Sequence, residues 1–294
     1  MRRALVPLSD HPYYLWQALV QAVWMKEHGW PATFLIYCHG KPSERLRALM
    51  GAGLADWNVW ADWRAHPVYN AAMKPALVGK YLMAHPEETD AGVLVLDPDA
   101  LPLRPWLEPE PGVLHSTDTD SYTGPDYLIR KGAWEPLCRL VGVDADHAAT
   151  FPGIGAQYVF TGISGQWWEK VAEISVRAFR FLETIPAPPG EKFPVQAWCA
   201  EMYVTQLLAI RDGIEPRMEP SMSMTWANGE ASDWQTYGFH HSAGVTAENG
   251  HDFCKITHQV SPWGKDLVVD PTSSSAPYVE AVNHVAKKYP HLVW

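Results

Sequence analysis

Apolar runs of strand length alternate with helical patterns through the first hundred residues, and this alternation constrains the fold most. The apolar runs are Ala4–Leu8, Thr33–Tyr37 and Gly92–Leu96. Helical spacing of apolar residues is found in Tyr13–His28, Pro42–Met50 and part of Val68–Ala84. Continuous apolar strands separated by helices are typical of a sheet covered by helices on both faces. We therefore predict an α/β fold with its ligand site at the carboxyl ends of the strands.

The second half of the chain has a less regular pattern. It predicts strands at Gln157–Thr161 and around Lys255–His258, and helices at Gly165–Thr184, Pro194–Arg211 and Tyr278–Lys288. Residues 215–252 show little periodicity, and the serine run at 272–275 is typical of a linker. We expect one domain over residues 1–270, with halves that meet near residue 110, followed by a linker and helix at 271–294.

Charge and cysteine usage narrow the possible partners. The chain has 33 acidic and 23 basic residues, a net charge of −10, which argues against a general nucleic-acid coat or a binder of anionic membranes. Its four cysteines form no C-x-x-C pair, so neither a zinc ribbon nor a dense disulfide scaffold is predicted. The first apolar run is too short for a signal peptide or a membrane span. We expect a cytosolic protein without a membrane partner.

Two carboxylates, Asp97 and Asp99, come directly after the apolar run that ends at Leu96. In an extended backbone residues i and i+2 point to the same side, and Pro98 biases Asp97 toward extended torsions. Two neighbouring carboxylates repel each other unless a cation lies between them, and such oxygen ligands suit Mg²⁺ or Mn²⁺. The segment predicts a metal and diphosphate site. The alternative is an ordinary Asp-Pro-Asp turn, which fits poorly with the apolar residues on both sides.

These residues belong to a series of blocks that resembles a known family. The strand followed by D-x-D resembles nucleotide-sugar glycosyltransferases of the GT-A fold, and in particular the plant hydroxyproline O-arabinosyltransferases and peptidyl-serine galactosyltransferases. The similar blocks are Ser9–Gln17, Met73–Pro75, Leu96–Pro105, Pro152–Gly162 and Trp198–Tyr203, with a further, divergent block at Ile256–Lys265. Their order recurs over roughly residues 4 to 265, which is more specific than any one block. The resemblance implies a GT-A-like mixed sheet flanked by helices and a UDP-sugar donor.

The first and last blocks imply contacts with the donor. In GT-A enzymes the first block leads to the nucleoside, which here implies Ser9, Asp10 and Tyr13. The family's late H-Y-T-Y-G element carries a histidine expected as the third metal ligand. The similar text here is Ile256–Lys265, in which His258 fits that role. Lys265, which ends it, is expected to neutralise the diphosphate unless it is simply solvated.

Two further histidines are candidates for the third metal ligand, and one further lysine is a candidate contact of the donor. The predicted metal site is Asp97, Asp99 and His258, with His240 and His241 as alternatives for the third ligand. Lys74, in the second block, is expected to add positive charge at the donor. A divalent ion there would stabilise the charge that develops on the leaving diphosphate.

The block at 198–203 provides candidate catalytic residues beside Asp99. Trp198 and Glu201 are three residues apart, which places them on one face if both are helical. The resemblance implies that Glu201 orients the acceptor hydroxyl or accepts its proton while Trp198 packs on the sugar or acceptor. The relatives transfer with retention of configuration, so retention is expected. An exposed helical carboxylate is the alternative for Glu201. A second Asp-x-Asp segment, Asp118–Asp120, follows polar residues and is expected to be a loop near the acceptor or solvated surface.

The acceptor is the least constrained part of the prediction. Phage TET-associated glycosyltransferases look like this group and modify 5-hydroxymethylpyrimidines in DNA, so 5-hydroxymethylcytosine is the leading acceptor for a cytosolic, phage-type enzyme. Basic residues that would contact phosphates are Arg2, Arg3, Lys41, Arg45, Arg47, Arg130, Lys131, Arg139, Lys287 and Lys288. Two alternatives stand beside it: the same chemistry on a peptide, glycan or small molecule, and a non-catalytic module that binds carbohydrate or polypeptide.

Overall fold

The computed structural model describes residues 3–61, 69–245 and 252–294. Its strands are β1 (Arg3–Ser9), β2 (Ala32–Cys38), β3 (Asp56–Ala61), β4 (Val93–Val95), β5 (Ala100–Pro102), β6 (Val113–Asp118), β7 (Ile154–Phe160), β8 (Glu215–Met218), β9 (Met224–Trp226) and β10 (Phe239–His241). Its α-helices are α1 (Pro12–Glu27), α2 (Glu44–Gly51), α3 (Met73–Ala84), α4 (Asp120–Thr123), α5 (Pro125–Arg130), α6 (Trp134–Val141), α7 (Ala145–Ala148), α8 (Gly165–Leu182), α9 (Ala200–Arg211) and α10 (Ser275–Lys288).

The described strands form a mixed seven-stranded sheet in the order β3-β2-β1-β4-β7-β6-β8 and a small sheet in the order β5-β10-β9. β1, β2 and β3 are parallel, with Leu5 opposite Thr33 and Phe34 opposite Trp57. β7 is antiparallel to both β4 and β6. The prediction of an α/β fold with a mixed sheet and helices is confirmed. β1, β2, β4 and α1 to α3 lie where the pattern places them, although Val68 is outside the described residues. β3 was not predicted.

Helix ends in the first half follow from local chemistry. α1 begins with Pro12 after His11, whose side chain accepts a hydrogen bond from the backbone N–H of Tyr13. α2 begins after Ser43, whose hydroxyl accepts from the N–H of Leu46. Gly29, with φ of +70°, follows α1 and allows the chain to turn back into β2. These residues mark where α1 and α2 begin and where the chain enters β2.

The irregular segment is ordered by pairing with sequence-distant residues. Residues 215–245 contain β8, β9 and β10, which are short and pair at long range, so no local periodicity indicates them. The strand predicted around Lys255–His258 is wrong: Lys255–Thr257 form a 3-10 turn that is followed by His258. The serine run at 272–275 is also not a solvated linker, since Ser273, Ser274 and Ser275 are buried. Their hydroxyls bond Ala227 and other groups of the same region.

The described chain divides into two compact units, each built from separate segments. One, which we call the helical unit, contains residues 69–95 and 107–220 and includes α3, α8 and α9. The other, the acidic-turn unit, contains residues 3–61, 96–106, 221–245 and 252–294. In the portion of the chain that the structure describes, none of the helices has the length and apolar character needed to cross a membrane.

Candidate metal centre

The Asp97–Asp99 segment is a tight turn between β4 and β5. The N–H of Ala100 donates to the carbonyl of Asp97 at 3.1 Å, so the backbone is not extended as the sequence suggests. Gln21 of α1 is buried and its amide donates to the carbonyl of Asp97 at 3.0 Å and to that of Ala100. Gln21 therefore fixes the turn from within the acidic-turn unit, and the position of the two carboxylates follows from the turn rather than from a strand.

Strand pairing brings His241 to this turn. β5 pairs antiparallel with β10, and Ala100, the residue after Asp99, is opposite His241. The N–H of Ser242 donates to the carbonyl of Asp99 at 3.0 Å, which continues the pairing to the turn itself. The Nε2 of His241 lies 3.3 Å from Asp99 Oδ2 and 4.0 Å from Asp97 Oδ2. The indole of Trp226 stacks on the imidazole with ring centroids 5.2 Å apart and holds its plane.

One ligand atom from each of Asp97, Asp99 and His241 lies within 4.8 Å of the other two. Asp99 and His241 are buried, and Asp97 is partly exposed. Two carboxylate oxygens with one imidazole nitrogen are a donor set that suits a divalent cation with preference for oxygen ligands, such as Mg²⁺ or Mn²⁺. The three side chains are thus able to hold a metal ion, and one edge of the set is open to further ligands because Asp97 reaches solvent.

The other two candidate histidines lie elsewhere. His258 is outside this three-residue group; its ring stacks on Phe253 at 5.0 Å, and its carbonyl accepts from the indole N–H of Trp16 at 2.9 Å. Burial lowers the pKa of His258, and the charge of Lys265 lowers it further. His240 is fully buried, which lowers its pKa to about 3, and its Nδ1 lies 3.0 Å from the hydroxyl of Ser274.

Alternation along β10 explains why the two adjacent histidines differ. Successive residues of a strand point to opposite faces, so the same strand places His241 at the acidic turn and His240 in the core. Sequence analysis left both open because neither β10 nor its register with β5 has a local signal.

Lys255 is a residue of this site that sequence analysis missed. Its ammonium forms an ion pair with Asp99 Oδ2, and its side chain is 17% exposed. Burial lowers the pKa of Lys255 to about 8, while the charge of Asp97 acts in the opposite direction. The sequence pattern places Lys255 in a short strand whose pairing partner is not predicted, so it gives no indication that this lysine contacts Asp99. The 3-10 turn at Lys255–Thr257 is what presents this side chain.

The predicted donor residues of the first block lie in the same unit as the acidic turn. Ser9 is buried at the end of β1, opposite Tyr37. The carboxylate of Asp10 accepts from the backbone N–H and the hydroxyl of Ser43 at 2.7 and 2.6 Å, so it is already engaged at the start of α2. Burial and the neighbouring Tyr14 raise the pKa of Tyr13 to about 12. Lys265 is exposed.

Lys74 and Glu201 form a buried ion pair in the helical unit. Their Nζ and Oε1 atoms are 3.2 Å apart, and the ammonium also donates to the carbonyl of Ala156 at 3.1 Å. The hydroxyl of Tyr69 accepts from the N–H of Glu201 at 2.9 Å and donates to the carbonyl of Trp198 at 2.6 Å. Lys74, expected at the donor, is therefore bound to Glu201.

Glu201 and Trp198 do not share an environment. Trp198 is 60% exposed and Glu201 only 4%. The reason is that residues 197–199 form a 3-10 turn and α9 begins at Ala200, so the α-helical spacing used in the prediction does not run through both residues. The alternative of an exposed helical carboxylate does not hold, because Glu201 is buried.

Comparisons with known proteins give little beyond these contacts. No family model matches the sequence, and no curated protein matches it. Among solved structures, the chain is similar to a glycosyltransferase involved in the glycosylation of the major capsid of PBCV-1. The TM-score is 0.45 and the sequence identity 9%, over 88% of this chain and 97% of that chain.

Proposed function

We propose that the protein is a metal-dependent glycosyltransferase that moves a hexose or pentose from a UDP-sugar to a hydroxyl group, with retention of configuration. The observation that carries the proposal is the group Asp97, Asp99 and His241 at a fixed turn directly after buried β4. Two neighbouring carboxylates are costly to bury unless cationic groups or a bound cation compensate both charges.

The residues of the acidic turn have distinct tasks in this proposal. A divalent ion, when bound, supplies Lewis-acid stabilisation of the charge on the departing diphosphate. Asp97 and Asp99 provide the oxygen ligands, and Gln21 holds the turn through its carbonyls. His241 provides the nitrogen ligand in an orientation set by Trp226. Ser9, Asp10 and Tyr13 would contact the nucleoside, and the exposed Lys265 would contact phosphate oxygens.

Glu201 is proposed to orient the acceptor hydroxyl or accept its proton. Its burial excludes competing water, and Lys74 and Tyr69 restrict its position. We expect Glu201→Gln, which preserves shape, to lower kcat by about 100-fold with little change in donor affinity. Urea unfolding of the variant separates this role from a purely structural ion pair, because loss of stability without loss of kcat contradicts the proposal.

The leading acceptor is 5-hydroxymethylcytosine in DNA, in a phage-infected bacterial cytosol. Several of the basic residues expected to contact phosphates already have carboxylate partners: Arg3 with Asp56, Arg130 and Lys131 with Glu191, and Lys288 with Glu27. Arg2 is outside the described residues. Binding to DNA would therefore exchange existing ion pairs, of which those of Arg130 and Lys288 are exposed and individually weak, and would depend steeply on salt.

Donor and acceptor panels test the proposal. Mn²⁺ together with the correct nucleotide-sugar should raise the melting temperature by ligand linkage, whereas the same donors without metal should have a smaller effect. Hydroxymethylated DNA and a hydroxyproline peptide are then incubated with the stabilising donor, and the products are read by mass spectrometry. A mass shift identifies both sugar class and acceptor. A flat melting response to every donor, with no product, would support the non-catalytic binding module instead.

A further inference from the structure

Lys255 and His241 contact the same oxygen of the acidic turn. The ammonium of Lys255 pairs with Asp99 Oδ2, and Nε2 of His241 lies 3.3 Å from that atom. Asp99 is 5% exposed, so this contact is within a largely desolvated site. The Asp99 oxygen that lies 3.3 Å from His241 is thus the one that Lys255 binds.

The charges of the site indicate what this contact does. Asp97 and Asp99 contribute two negative charges, and the ammonium of Lys255 compensates one of them. Unpaired buried carboxylates repel each other and are poorly solvated. A side-chain ammonium at Asp99 therefore stabilises the metal-free fold, and the same ammonium repels an incoming divalent ion.

We propose that Lys255 is a built-in counter-cation of Asp99, which a divalent ion must displace in order to bind, so that Lys255 sets the metal affinity of the site. The inference rests on the proposed function, because it assumes that the acidic turn binds a metal. It assigns to Lys255 a role in weakening metal affinity, opposite in sign to that of the metal ligands.

The structure allows this exchange without a change of fold. The backbone of Lys255 is fixed by the 3-10 turn, in which the N–H of His258 donates to its carbonyl at 3.0 Å. The ammonium is carried on a flexible four-carbon chain, and its side chain is 17% exposed, so it has a route to solvent. The adjacent Ile256 is 56% exposed, which places the turn at the surface. Rotation of one side chain is sufficient to vacate Asp99 Oδ2.

Titration with Mn²⁺ alone tests the proposal. Binding is measured by calorimetry or by the electron paramagnetic resonance signal of free Mn²⁺. The proteins are the full chain, Lys255→Met, Lys255→Gln, Lys255→Arg and the matched control Lys265→Met, which removes an exposed ammonium. We expect both neutral variants at 255 to bind Mn²⁺ about tenfold more tightly or better, since a nearby like charge is removed. Lys255→Arg and Lys265→Met should stay within about twofold of the full chain.

The outcomes separate this inference from the proposed function. In one outcome the full chain binds Mn²⁺, Asp99→Asn does not, and the folded Lys255→Met and Lys255→Gln variants bind Mn²⁺ as tightly as the full chain or more weakly. This result overturns the role of Lys255 as counter-cation but leaves the metal site in place. Absence of saturable Mn²⁺ binding in the full chain and in every variant overturns the metal site and the inference with it. Binding that appears only in the neutral variants supports the inference. Circular dichroism and melting temperature establish that each variant is folded.

Discussion

The chain contains three Asp-x-Asp segments, and sequence spacing alone does not separate the two at Asp97–Asp99 and Asp118–Asp120 from each other. Asp97-Pro98-Asp99 follows β4, and Asp118-Thr119-Asp120 ends β6. In the second turn the carboxylates bind backbone: Asp118 accepts from the N–H of Asp120 at 3.0 Å, and Asp120 accepts from the N–H of Gly153 at 2.6 Å. In the first turn they face side-chain nitrogens of residues more than 140 positions later in the sequence.

The difference shows what makes a pair of carboxylates a candidate metal site. Asp118 and Asp120 are exposed, and their carboxylates accept only from backbone N–H groups among the contacts described above, a role that many Asp residues at turns have. Asp97 and Asp99 have their backbone positions fixed by Gln21, and their carboxylates meet the cationic or metal-binding groups His241 and Lys255. What surrounds the carboxylates, and not the tripeptide, distinguishes the two turns.

The largest expected difference between the turns is in activity. Asp99→Asn should lower donor hydrolysis and transfer by about 1000-fold, since it removes a ligand that acts on the charge of the leaving group. The matched change in the other turn, Asp120→Asn, should stay within about threefold. Both are measured as kcat/KM with the donor identified by the melting screen. Equal losses in the two variants, or none in Asp99→Asn, would show that the first turn has no special role.

A smaller effect distinguishes the histidines. His241→Asn should weaken Mn²⁺ binding by about 10- to 100-fold, because it removes the imidazole nitrogen that lies 3.3 Å from Asp99 and 4.0 Å from Asp97. His258→Asn is the control and should leave Mn²⁺ affinity unchanged, since His258 is outside the group. Calorimetric titration with Mn²⁺ measures both. If His258→Asn weakened Mn²⁺ binding more than His241→Asn does, His258 would be the third ligand.

The second turn should matter for stability instead. Asp120→Ala removes the hydrogen bond to Gly153 and the acidic residue in the first turn of α4, so we expect a loss of about 1 kcal/mol in the free energy of unfolding. Urea denaturation measures this loss. Asp118→Ala, which loses only a local bond to Asp120, is expected to cost less. A gain in stability for Asp120→Ala would indicate that the exposed carboxylate is held there for a ligand.

The smallest effect concerns the strand beside the second turn. β7 is irregular next to β6, and Ala156 has φ of +65°, a left-handed conformation that costs free energy for residues with a Cβ atom. Ala156→Gly should therefore raise the free energy of unfolding by about 0.5 kcal/mol, part of the relief being offset by the entropy of the unfolded chain. Ala172→Gly in α8 is the control and should lower it by about 1 kcal/mol. A loss in Ala156→Gly would mean that packing of the methyl group outweighs the strain.

Local patterns predict the fold better than the site. The apolar runs and helical spacings of the first hundred residues place β1, β2, β4 and α1 to α3 within a few residues, because each is decided by burial periodicity and capping. The small sheet of β5, β9 and β10 was not predicted, since each strand has three residues and its partners are far away in sequence. Only the register of β5 with β10 selects His241 over its neighbour.

The sequence by itself determined the alternation of strands and helices and the acidic pair after a buried strand, since both follow from the order of apolar and charged residues. The tertiary structure decided what the pair meets. Antiparallel pairing of Ala100 with His241 brings an imidazole to the turn, and a 3-10 turn brings the ammonium of Lys255. The tertiary structure also brings Lys74 and Glu201 together in a buried ion pair. These contacts join residues remote in sequence, and their free energy depends on burial and distance, which no local pattern encodes.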